Sequence, residues 1–356
     1  MPLDTPFMYH CGVLAQSYIH KLDPFAIQIT ETLGLRWYGL AYIAGFVTAW
    51  IVIKWMSRNN ITQIQPNKVG DFIFACVVGV LAGGRLGYVF FYDPTLLYTF
   101  TPELPWWRVL AIQDGGMSSH GGMIGVSVAL IVWGKKNNIS ILHLIDIAAL
   151  FTIPGLFYGR IANFINGELW GKKLPESLQA EPPWWSIKYP TEITEVWLAS
   201  PQLYQEKLNT IEPLRSQIVG GDYFYQSVVQ EAYAGNQQVI ESIQPNLTAW
   251  YPSQLFQAAA EGPVLFIALF LIWWNPRKPG IIAGWFAILY GILRIITEEY
   301  RQPDAGVALL FNFSRGQLLS ATMILVGIFY LTISARRSSE KASGFKYAFN
   351  KKTQTT

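Results

Sequence analysis

Apolar residues are gathered into long runs along the chain, and polar stretches separate one run from the next. A helix needs about 20 residues to cross the hydrocarbon core of a bilayer, and each run comes close to that length. None alternates apolar and polar residues in the manner of barrel strands, so we predict seven transmembrane helices in an all-α fold. The third is the weakest, because Ser118, Ser119 and His120 dilute its start. The predicted helices cover about 36–56, 69–92, 117–133, 141–161, 255–274, 280–298 and 316–335.

The composition also indicates an integral membrane protein. Charged residues make up 14% of the 356 residues, against roughly 25% in a soluble domain, and 51% are hydrophobic. This excludes disordered, collagenous and coiled-coil chains. A net charge of only +3, with no basic stripe before the C-terminal tail, predicts no nucleic-acid partner. Two cysteines, Cys11 and Cys76, are too few for a disulfide framework or a thiolate metal site.

The distribution of Lys and Arg predicts the orientation, because these residues are enriched on the cytoplasmic side. They are concentrated after predicted helices 1, 3 and 5 and in the C-terminal tail. We therefore expect the N-terminus outside, the C-terminus in the cytoplasm, and an extracytoplasmic insertion between helices 4 and 5 that is long enough to fold. The tail beyond residue 337 is polar and expected to be disordered. The predicted divisions are an N-terminal extracytoplasmic segment (1–35), helices 1–4 (36–166), the insertion (167–253), helices 5–7 (254–335) and the cytoplasmic tail (336–356).

Ionisable side chains inside membrane helices are costly and therefore mark candidate functional sites. With this orientation, Arg85, Arg160 and Arg294 all fall in the outer halves of their helices. Tyr38 and His120 begin their helices at the same level. Guanidinium groups engage phosphate oxygens through two hydrogen bonds and stay charged. This layer, towards the outer leaflet, therefore predicts a binding site for an anion.

Polar residues at helical spacing mark one face of the fourth predicted helix and one face of the sixth. Such a stripe is unfavourable against lipid, so both faces should point to protein or to a wet cavity. Two alternatives stay open: Arg85 could snorkel to the interface, and Arg294 with Glu298 could form a purely structural pair. The stripes are Arg160, Asn163 and Asn166 on the fourth helix, and Tyr290, Arg294, Glu298 and Arg301 on the sixth.

Three further features are predicted to be structural. His143 and Asp146 are three residues apart and suggest a packing hydrogen bond. Glycines at every fourth position indicate close packing between helices. Two histidines have no partner in the sequence pattern and are expected to be solvated. The glycines are Gly79, Gly83 and Gly87, and the histidines are His10 and His20.

His120 has an unusual setting, because glycine pairs lie on both sides of it. Glycine lets the backbone approach a ligand or a neighbouring helix closely, so contact with a substrate explains this histidine about as well as a structural role. A metal site is not indicated, since neither an HExxH string nor ligand spacing among the four histidines is found. No GxSxG nucleophile elbow occurs either. We expect no cofactor.

The segment GRIANFINGELWG (159–171) closely resembles the signature of prolipoprotein diacylglyceryl transferases. Four further segments are similar to the same family, occur in its order and span nearly the whole chain. One departure is YPSQLFQ (251–257), which stands where the family has HPSQLYE and argues against a carboxylate role at position 257. The four further segments are RWYGL (36–40), GGRLGY (83–88), the stretch 114–125 around His120, and the stretch from Tyr290 to Asp304.

The resemblance implies transfer of the diacylglyceryl group of phosphatidylglycerol to the lipobox cysteine of a preprolipoprotein, forming a thioether and releasing glycerol phosphate. It also implies the bacterial cytoplasmic (inner) membrane, with the active site towards the periplasmic side. The expected partners are phosphatidylglycerol, the lipobox peptide and the lipid bilayer. The positions that match family-essential residues are Tyr38, His120, Arg160, Asn163, Glu168, Tyr290, Arg294 and Glu298.

This chemistry requires a thiol to lose its proton and a phosphate monoester to leave. We expect His120 to act as general base, because an imidazole exchanges protons near neutral pH, and Arg160 and Arg294 to stabilise the leaving phosphate. Arginines that acidify the thiol are the alternative to a histidine base. A transporter or lipid-binding receptor that holds an anion is the alternative to an enzyme. The expected substrate-binding residues are Tyr38, Arg85, Asn163, Asn166, Glu168, Tyr290, Glu298 and Arg301.

Overall fold

The computed structural model describes residues 17–28, 34–218, 220–302 and 314–353, which separate into two compact units. The first unit comprises Met1–Ala41, Gly159–Ala260 and Arg294–Gln317. The second unit comprises Tyr42–Tyr158, Glu261–Leu293 and Leu318–Thr356.

The helices are α1 (Trp37–Arg58), α2 (Val69–Phe91), α3 (Ser119–Asn137), α4 (Ile141–Ile165), α5 (Pro201–Ile211), α6 (Phe224–Tyr233), α7 (Gln237–Ile243), α8 (Ser253–Ala259), α9 (Leu265–Ile272), α10 (Ile281–Glu298), α11 (Arg315–Arg336) and α12 (Phe345–Thr353).

The long helices follow the predicted apolar runs, because a chain in lipid satisfies its backbone hydrogen bonds locally only as a helix. Six helices in the described chain are long and apolar enough to cross a membrane: α1, α2, α4, the continuous stretch Ser253–Ile272 that contains α8 and α9, α10, and α11. The third predicted segment also forms a helix, α3, of 19 residues. It is not one of the six, because its polar first turn and the two lysines of its last turn, Lys135 and Lys136, lower its hydropathy. Seven spans therefore stay a prediction.

The second unit is built around one large apolar cluster, to which α1, α2, α3, α4, α9, α10 and α12 contribute. Within it, α2 and α3 pack through glycines, as predicted. A Cβ atom on Gly79 would lie 2.7 Å from the Gly125 carbonyl oxygen, and one on Gly87 would lie 2.7 Å from Gly121 Cα. Backbones this close leave no room for side chains. The glycine that follows His120 therefore serves helix packing.

His143 and Asp146 are buried, but the hydrogen bond predicted between them is wrong. His143 Nε2 lies 3.0 Å from the Thr62 hydroxyl and 3.1 Å from the backbone N–H of Gln63. The Asp146 carboxylate accepts instead from the N–H of Gly280 at 2.7 Å and of Ala283 at 2.8 Å. It thereby caps the start of α10, whose first N–H groups have no partner within the helix. Both residues are structural, each with partners distant in the sequence.

The expectation of a disordered tail is also wrong. The chain beyond α11 forms α12, whose Phe345 side chain is 2% exposed. Its ring stacks on Trp55 at 6.1 Å between centroids and packs against Phe270 at 4.7 Å. The backbone N–H of Phe345 donates to the Trp273 carbonyl at 3.1 Å. A polar average over the tail concealed the aromatic residues that hold this helix in place.

The first unit contains the long polar segment, which folds around an apolar cluster of its own. Its core includes Trp197, Phe224 and Ile243, all fully or almost fully buried. The short strand β1 (Tyr18–Ile19) pairs in parallel with β4 (Ile187–Lys188), and β2 (Phe25–Gln28) pairs antiparallel with β3 (Gly34–Arg36). The segment is therefore a folded insertion, as its length suggested, and the side of the membrane on which it lies stays a prediction.

Candidate functional site

The phenol of Tyr38 joins two of the sequence segments that pointed to function. Tyr38 is the second residue of α1, and its hydroxyl contacts Asn163 Oδ1. The same oxygen lies 2.9 Å from Glu168 Oε2. Asn163 is 8% exposed, whereas Glu168 is exposed, so the cluster leads from the protein interior to the surface. Three residues predicted to bind substrate thus form one cluster in the first unit.

The turn after α4 brings Asn163 and Glu168 together. The helix ends at Ile165, and Gly167 adopts a positive φ of 64°, which suits a glycine at a helix C-terminus. The Glu168 N–H then donates to the Asn163 carbonyl at 3.0 Å. Asn166 lies just past the helix end, and its amide nitrogen is 3.5 Å from Glu168 Oε1. We call residues 163–168 the signature turn.

Arg160 lies on α4 three residues before Asn163 and is half-buried. This matches the predicted spacing of Arg160 and Asn163 on one helix. The predicted continuation of that face to Asn166 is only partly right, because the helix ends one residue earlier. A phosphate-binding role for Arg160 stays a prediction.

Two residues of the YPSQLFQ string bind the end of the signature turn and the residue that follows it, a role that sequence reasoning missed. The amide nitrogen of Gln254 donates to the Glu168 carbonyl at 2.6 Å. The Ser253 hydroxyl donates to the Leu169 carbonyl at 3.2 Å. Both side chains are buried. The string itself was the available signal, since its resemblance to the family was visible and only the role was missing.

Substituted positions in the same string form an aromatic cluster. Tyr251 and Phe256 both contact the ring of Tyr300, with centroids 5.3 and 5.4 Å apart. Tyr251 also stacks on Trp185 at 5.9 Å. These apolar contacts explain how aromatic residues are accommodated at positions 251 and 256. Gln257 is 1% exposed.

A buried triad of charges lies at the end of α10. Arg294 Nη2 is 2.9 Å from Glu298 Oε2, and Arg301 Nη1 is 3.5 Å from Glu298 Oε1. The three side chains are 13%, 7% and 10% exposed. The Ser314 hydroxyl also donates to Glu298 at 3.2 Å. Arg294 and Glu298 lie on one helix face, as their spacing predicts, and Arg301 joins them although α10 ends at Glu298. Whether the pair is purely structural stays open.

Backbone hydrogen bonds connect this charged triad to the segment that carries the signature turn. The N–H of Lys172 donates to the Tyr300 carbonyl at 2.8 Å, and the N–H of Gln302 donates to the Trp170 carbonyl at 3.3 Å. The Lys172 ammonium also pairs with Glu299 at 2.9 Å. Four sequence segments, 36–40, 159–171, 251–257 and 294–302, are therefore joined within the first unit.

Arg85 does not snorkel to the membrane interface. Its side chain is 5% exposed, and the guanidinium donates to four backbone carbonyls. Those carbonyls belong to Val109, Gly115, Gly116 and Arg108. Arg85 thus anchors the loop that leads into α3, which gives it a positioning role. A direct contact of Arg85 with substrate stays a prediction.

His120 and Tyr290 belong to the second unit, as Arg85 does. His120 is the second residue of α3 and is exposed. Ser118 is the N-cap of this helix, and its hydroxyl accepts from the Gly121 N–H at 3.2 Å. Tyr290 stacks on Phe286 with ring centroids 5.7 Å apart. The placement of these residues in one site with Arg160 and Arg294 stays a prediction.

His20 is the clearest correction to the sequence-based expectations. It was expected to be solvated, yet it is fully buried in the first unit and makes two hydrogen bonds. One of its partners, the carbonyl of Phe164, belongs to the signature turn. No local pattern could have found these contacts, because the partners are 144 and 213 residues away along the chain. His10, the other histidine expected to be solvated, lies outside the described residues.

The insertion carries a carboxylate, Glu195, that interacts electrostatically with Glu168. Burial, and then the negative charge of Glu168, raise the pKa of Glu195 above its usual range. Glu195 follows the buried Glu192, which accepts from Trp197 Nε1 at 2.9 Å and from the Thr248 hydroxyl at 2.7 Å. The insertion therefore contributes one acidic group, Glu195, close to Glu168.

Six apolar helices among the described residues and a hydrogen-bonded network of Tyr, Asn, Glu and Arg side chains define a multi-pass integral membrane protein with a polar site. Residues 24–333 match the family described as prolipoprotein diacylglyceryl transferase. The chain belongs to this family.

Relatives of nearly equal length support this membership. A protein of Bdellovibrio bacteriovorus, named phosphatidylglycerol–prolipoprotein diacylglyceryl transferase, is 38% identical over 342 residues, covering 92% of this chain and 97% of its own. Relatives of the same name from Rhizobium leguminosarum and Xylella fastidiosa are 34% and 32% identical. The Rhizobium match covers 92% of this chain and 97% of the relative, and the Xylella match covers 90% and 95%.

Proposed function

We propose that this protein transfers the diacylglyceryl group of phosphatidylglycerol to the lipobox cysteine of a preprolipoprotein. The cysteine sulfur forms a bond to the terminal glyceryl carbon of the lipid, and the bond from that carbon to the phosphate oxygen breaks. The thiol proton is lost, and the displaced electron pair stays with the phosphate of the departing glycerol phosphate. The product is a thioether, so no oxidant, reductant or cofactor is needed.

The observation that carries this proposal is the contact of Tyr38 with Asn163 and Glu168. It joins the two sequence segments whose resemblance to the family is strongest, and it lies beside the hydrogen-bonded segment that carries Arg294, Glu298 and Arg301. Of these side chains, Asn163 and Glu298 are buried, and buried polar groups are costly in a membrane protein. A role in binding a polar lipid head group would explain why these side chains are present.

Arg160 and Arg294 would stabilise the leaving phosphate in this proposal. In the charged triad the guanidinium groups of Arg294 and Arg301 both pair with the carboxylate of Glu298, which holds the two cations in place. A preorganised cation placed where negative charge develops lowers the barrier most when water is excluded. Tyr38, Asn163, Asn166, Glu168, Tyr290, Glu298 and Arg301 would orient the head group or the arginines, and Arg85 would fix the loop before α3.

His120 would take the proton of the cysteine thiol, whose ordinary pKa is about 8.5. Its position in the first turn of α3 leaves the imidazole exposed and able to meet a substrate. The alternative is that the arginines acidify the thiol, which then gives its proton to water. A His120→Ala variant distinguishes the two, because near-normal transfer would remove the histidine from the mechanism.

The membrane arrangement completes the proposal. We place seven transmembrane helices, with α3 as the third, in the bacterial inner membrane. The N-terminal segment 1–35 and the insertion 167–253 would lie outside, and the tail 336–356 in the cytoplasm. The site would then open towards the periplasm, where lipid and lipobox peptide both arrive. The proposed reaction involves no nucleic acid.

Mass spectrometry of a lipobox peptide tests the activity. The purified protein is incubated with phosphatidylglycerol and the peptide in vesicles, and a gain of one diacylglyceryl mass on cysteine is expected. A peptide with serine in place of the cysteine is the matched control and should gain nothing. Binding of the lipid without any mass gain would contradict the proposal and favour a lipid-binding receptor or transporter.

A further inference from the structure

The N-terminal strand carries His20 into the interior of the first unit. Pairing of β1 with β4 continues through the N–H of His20, which donates to the Lys188 carbonyl at 2.9 Å. The imidazole is fully buried and is packed by aromatic rings. Its centroid lies 5.5 Å from that of Phe164, 5.2 Å from Tyr189 and 5.9 Å from Tyr233. Three aromatic side chains of the first unit therefore pack on the imidazole.

The two ring nitrogens of His20 link the insertion to the signature turn. Nε2 lies 2.7 Å from the Phe164 carbonyl oxygen, and Nδ1 lies 3.2 Å from the Tyr233 hydroxyl. A carbonyl oxygen only accepts, so Nε2 carries the hydrogen. In the neutral imidazole Nδ1 is then an acceptor, and the Tyr233 hydroxyl donates to it. The chain of donors therefore runs from α6 through His20 to the end of α4.

The ionisation of both groups supports this arrangement. Burial lowers the pKa of His20, and burial raises the pKa of Tyr233 to about 12. Near neutral pH both side chains are therefore uncharged, as the two hydrogen bonds require.

The Phe164 carbonyl is part of the turn that presents the proposed site residues. It also accepts from the Gly167 N–H at 3.0 Å, while the neighbouring Asn163 carbonyl accepts from Glu168. A Cβ atom on Gly167 would lie 3.2 Å from His20 Cε1, so the imidazole packs directly against this turn. Carbonyls in the last turn of a helix lack partners within the helix, and His20 supplies one.

We propose that His20 is a positioning residue for diacylglyceryl transfer: it fixes the signature turn so that Asn163 and Glu168 meet the Tyr38 hydroxyl. The inference rests on the proposed function for its catalytic consequence. The restraint itself does not depend on that function. His20 has no contact with a reacting atom in this scheme and acts through the turn.

Replacement of His20 by Gln and by Leu separates the hydrogen bond from the bulk of the ring. Gln offers an N–H donor at about the position of Nε2, whereas Leu fills the space without a donor. In His20→Leu we expect kcat for transfer to fall on the order of 10- to 100-fold, because a small misplacement of site groups is costly. In His20→Gln most of the activity should return. Tyr225→Phe, which removes a hydroxyl bonded to Glu212 elsewhere in the insertion, is the matched control and should behave as the wild type.

Hydrogen exchange gives a readout that needs no activity. The amides of Gly167 and Glu168, which are bonded within the signature turn, should exchange at least several-fold faster in His20→Leu and at the wild-type rate in His20→Gln. Tyr233→Phe removes the hydrogen bond to Nδ1 and leaves the bond from Nε2 to Phe164, so it should raise exchange to a smaller extent. This variant tests the inference if the Leu variant does not fold.

Two outcomes would overturn the inference: unchanged exchange in the turn, or equal loss of kcat per folded molecule in the Gln and Leu variants. A wild-type protein that transfers nothing to the lipobox peptide would instead contradict the proposed function. In that case the exchange measurements still decide whether His20 restrains the turn.

Discussion

At the scale of single residues, the site is a set of hydrogen bonds between side chains that are far apart in the sequence. Tyr38 meets Asn163 and Glu168, which are 125 and 130 residues away. Each contact depends on the phenolic hydroxyl and on no other part of the ring. The hydroxyl can therefore be tested separately from the packing of the ring.

Removal of the Tyr38 hydroxyl should reduce transfer with little loss of stability. Hydrogen bonds to charged groups contribute about 1.5–3 kcal/mol, so Tyr38→Phe should lower kcat/KM on the order of 10- to 100-fold if they act in the transition state. The mass-spectrometric transfer assay measures this, with thermal unfolding in parallel. Tyr98→Phe, at a side chain that is 82% exposed, is the control. Equal activity of the two variants would contradict the role given to Tyr38.

The lowered pKa of His20 predicts how stability depends on pH. In the unfolded chain a histidine binds a proton below about pH 6.5, whereas in the folded protein burial keeps His20 neutral to a lower pH. The unfolded state thus binds more protons as pH falls, so stability should decrease below about pH 6.5. Tyr189 and Tyr233 are the titratable rings that pack on His20. Both have raised pKa values and stay neutral in this range.

Thermal unfolding of the wild type and of His20→Gln between pH 5 and 8 isolates this effect. The raised pKa of Glu195 acts in the opposite direction, since it favours the folded state at low pH and is lost as pH rises. It is present in both proteins and cancels in their difference. If the stability of the wild type and of His20→Gln changed with pH in the same way, His20 would not be the cause of the pH dependence.

The site residues that the sequence could predict are those inside contiguous, specific strings. Asn163 and Glu168 stand five residues apart in one segment, and the pair of Arg294 with Glu298 follows from helical spacing. His20 could not be predicted, because a lone histidine gives no periodicity and its partners come from α4 and α6. Arg85 was predicted to be important on grounds of depth, and only the structure gives its four carbonyl partners.

At the scale of elements, close helix packing and a C-terminal helix shape the second unit. The glycine seam between α2 and α3 follows from spacing alone, and the structure confirms it. The α12 helix was missed because average polarity outweighed Phe345 and Ala348 in the sequence interpretation. The fold of the insertion was also beyond prediction, since its core collects residues spread from 193 to 247 without a motif.

A single methyl group in the glycine seam should disrupt the second unit. A Cβ atom on Gly83 would lie 2.7 Å from Gly125 Cα, and the backbones must separate to admit it. Gly83→Ala should therefore lower the thermal unfolding temperature clearly. Gly70→Ala, on the same helix with nothing within 4 Å, is the control and should be neutral or slightly stabilising. Equal stability of the two variants would mean that the seam can relax.

The α12 helix should contribute measurably to stability. Truncation of a buried phenylalanine typically costs about 3–5 kcal/mol, and Phe345 is almost fully buried among Trp55, Phe270 and Trp273. Phe345→Ala should therefore unfold at lower temperature or denaturant concentration than the wild type. Tyr347→Ala, on the exposed face at 59% exposure, should stay within about 0.5 kcal/mol. A Phe345→Ala protein as stable as Tyr347→Ala would show that α12 does not stay docked.

At the scale of the whole molecule, the orientation in the membrane connects the site to its substrates. A lipobox peptide arrives on the outer face, so the proposed function requires the insertion and the signature turn to be extracytoplasmic. The concentration of Lys and Arg after α1, α3, α9 and α11 argues for that orientation. An inverted molecule would expose the insertion to the cytoplasm, and the proposed reaction would then have no access to exported clients.

Cysteine labelling in intact cells tests this orientation directly. In a background with Cys11 and Cys76 replaced by Ser, a cysteine at the exposed Gln217 of the insertion should react with a membrane-impermeant maleimide added outside. A cysteine at the exposed Lys341 of the tail should react only after the membrane is permeabilised. The two sites control for each other, because both are exposed and differ in the predicted side. Labelling of Lys341→Cys but not Gln217→Cys in intact cells would invert the topology and remove the periplasmic site on which the proposed reaction depends.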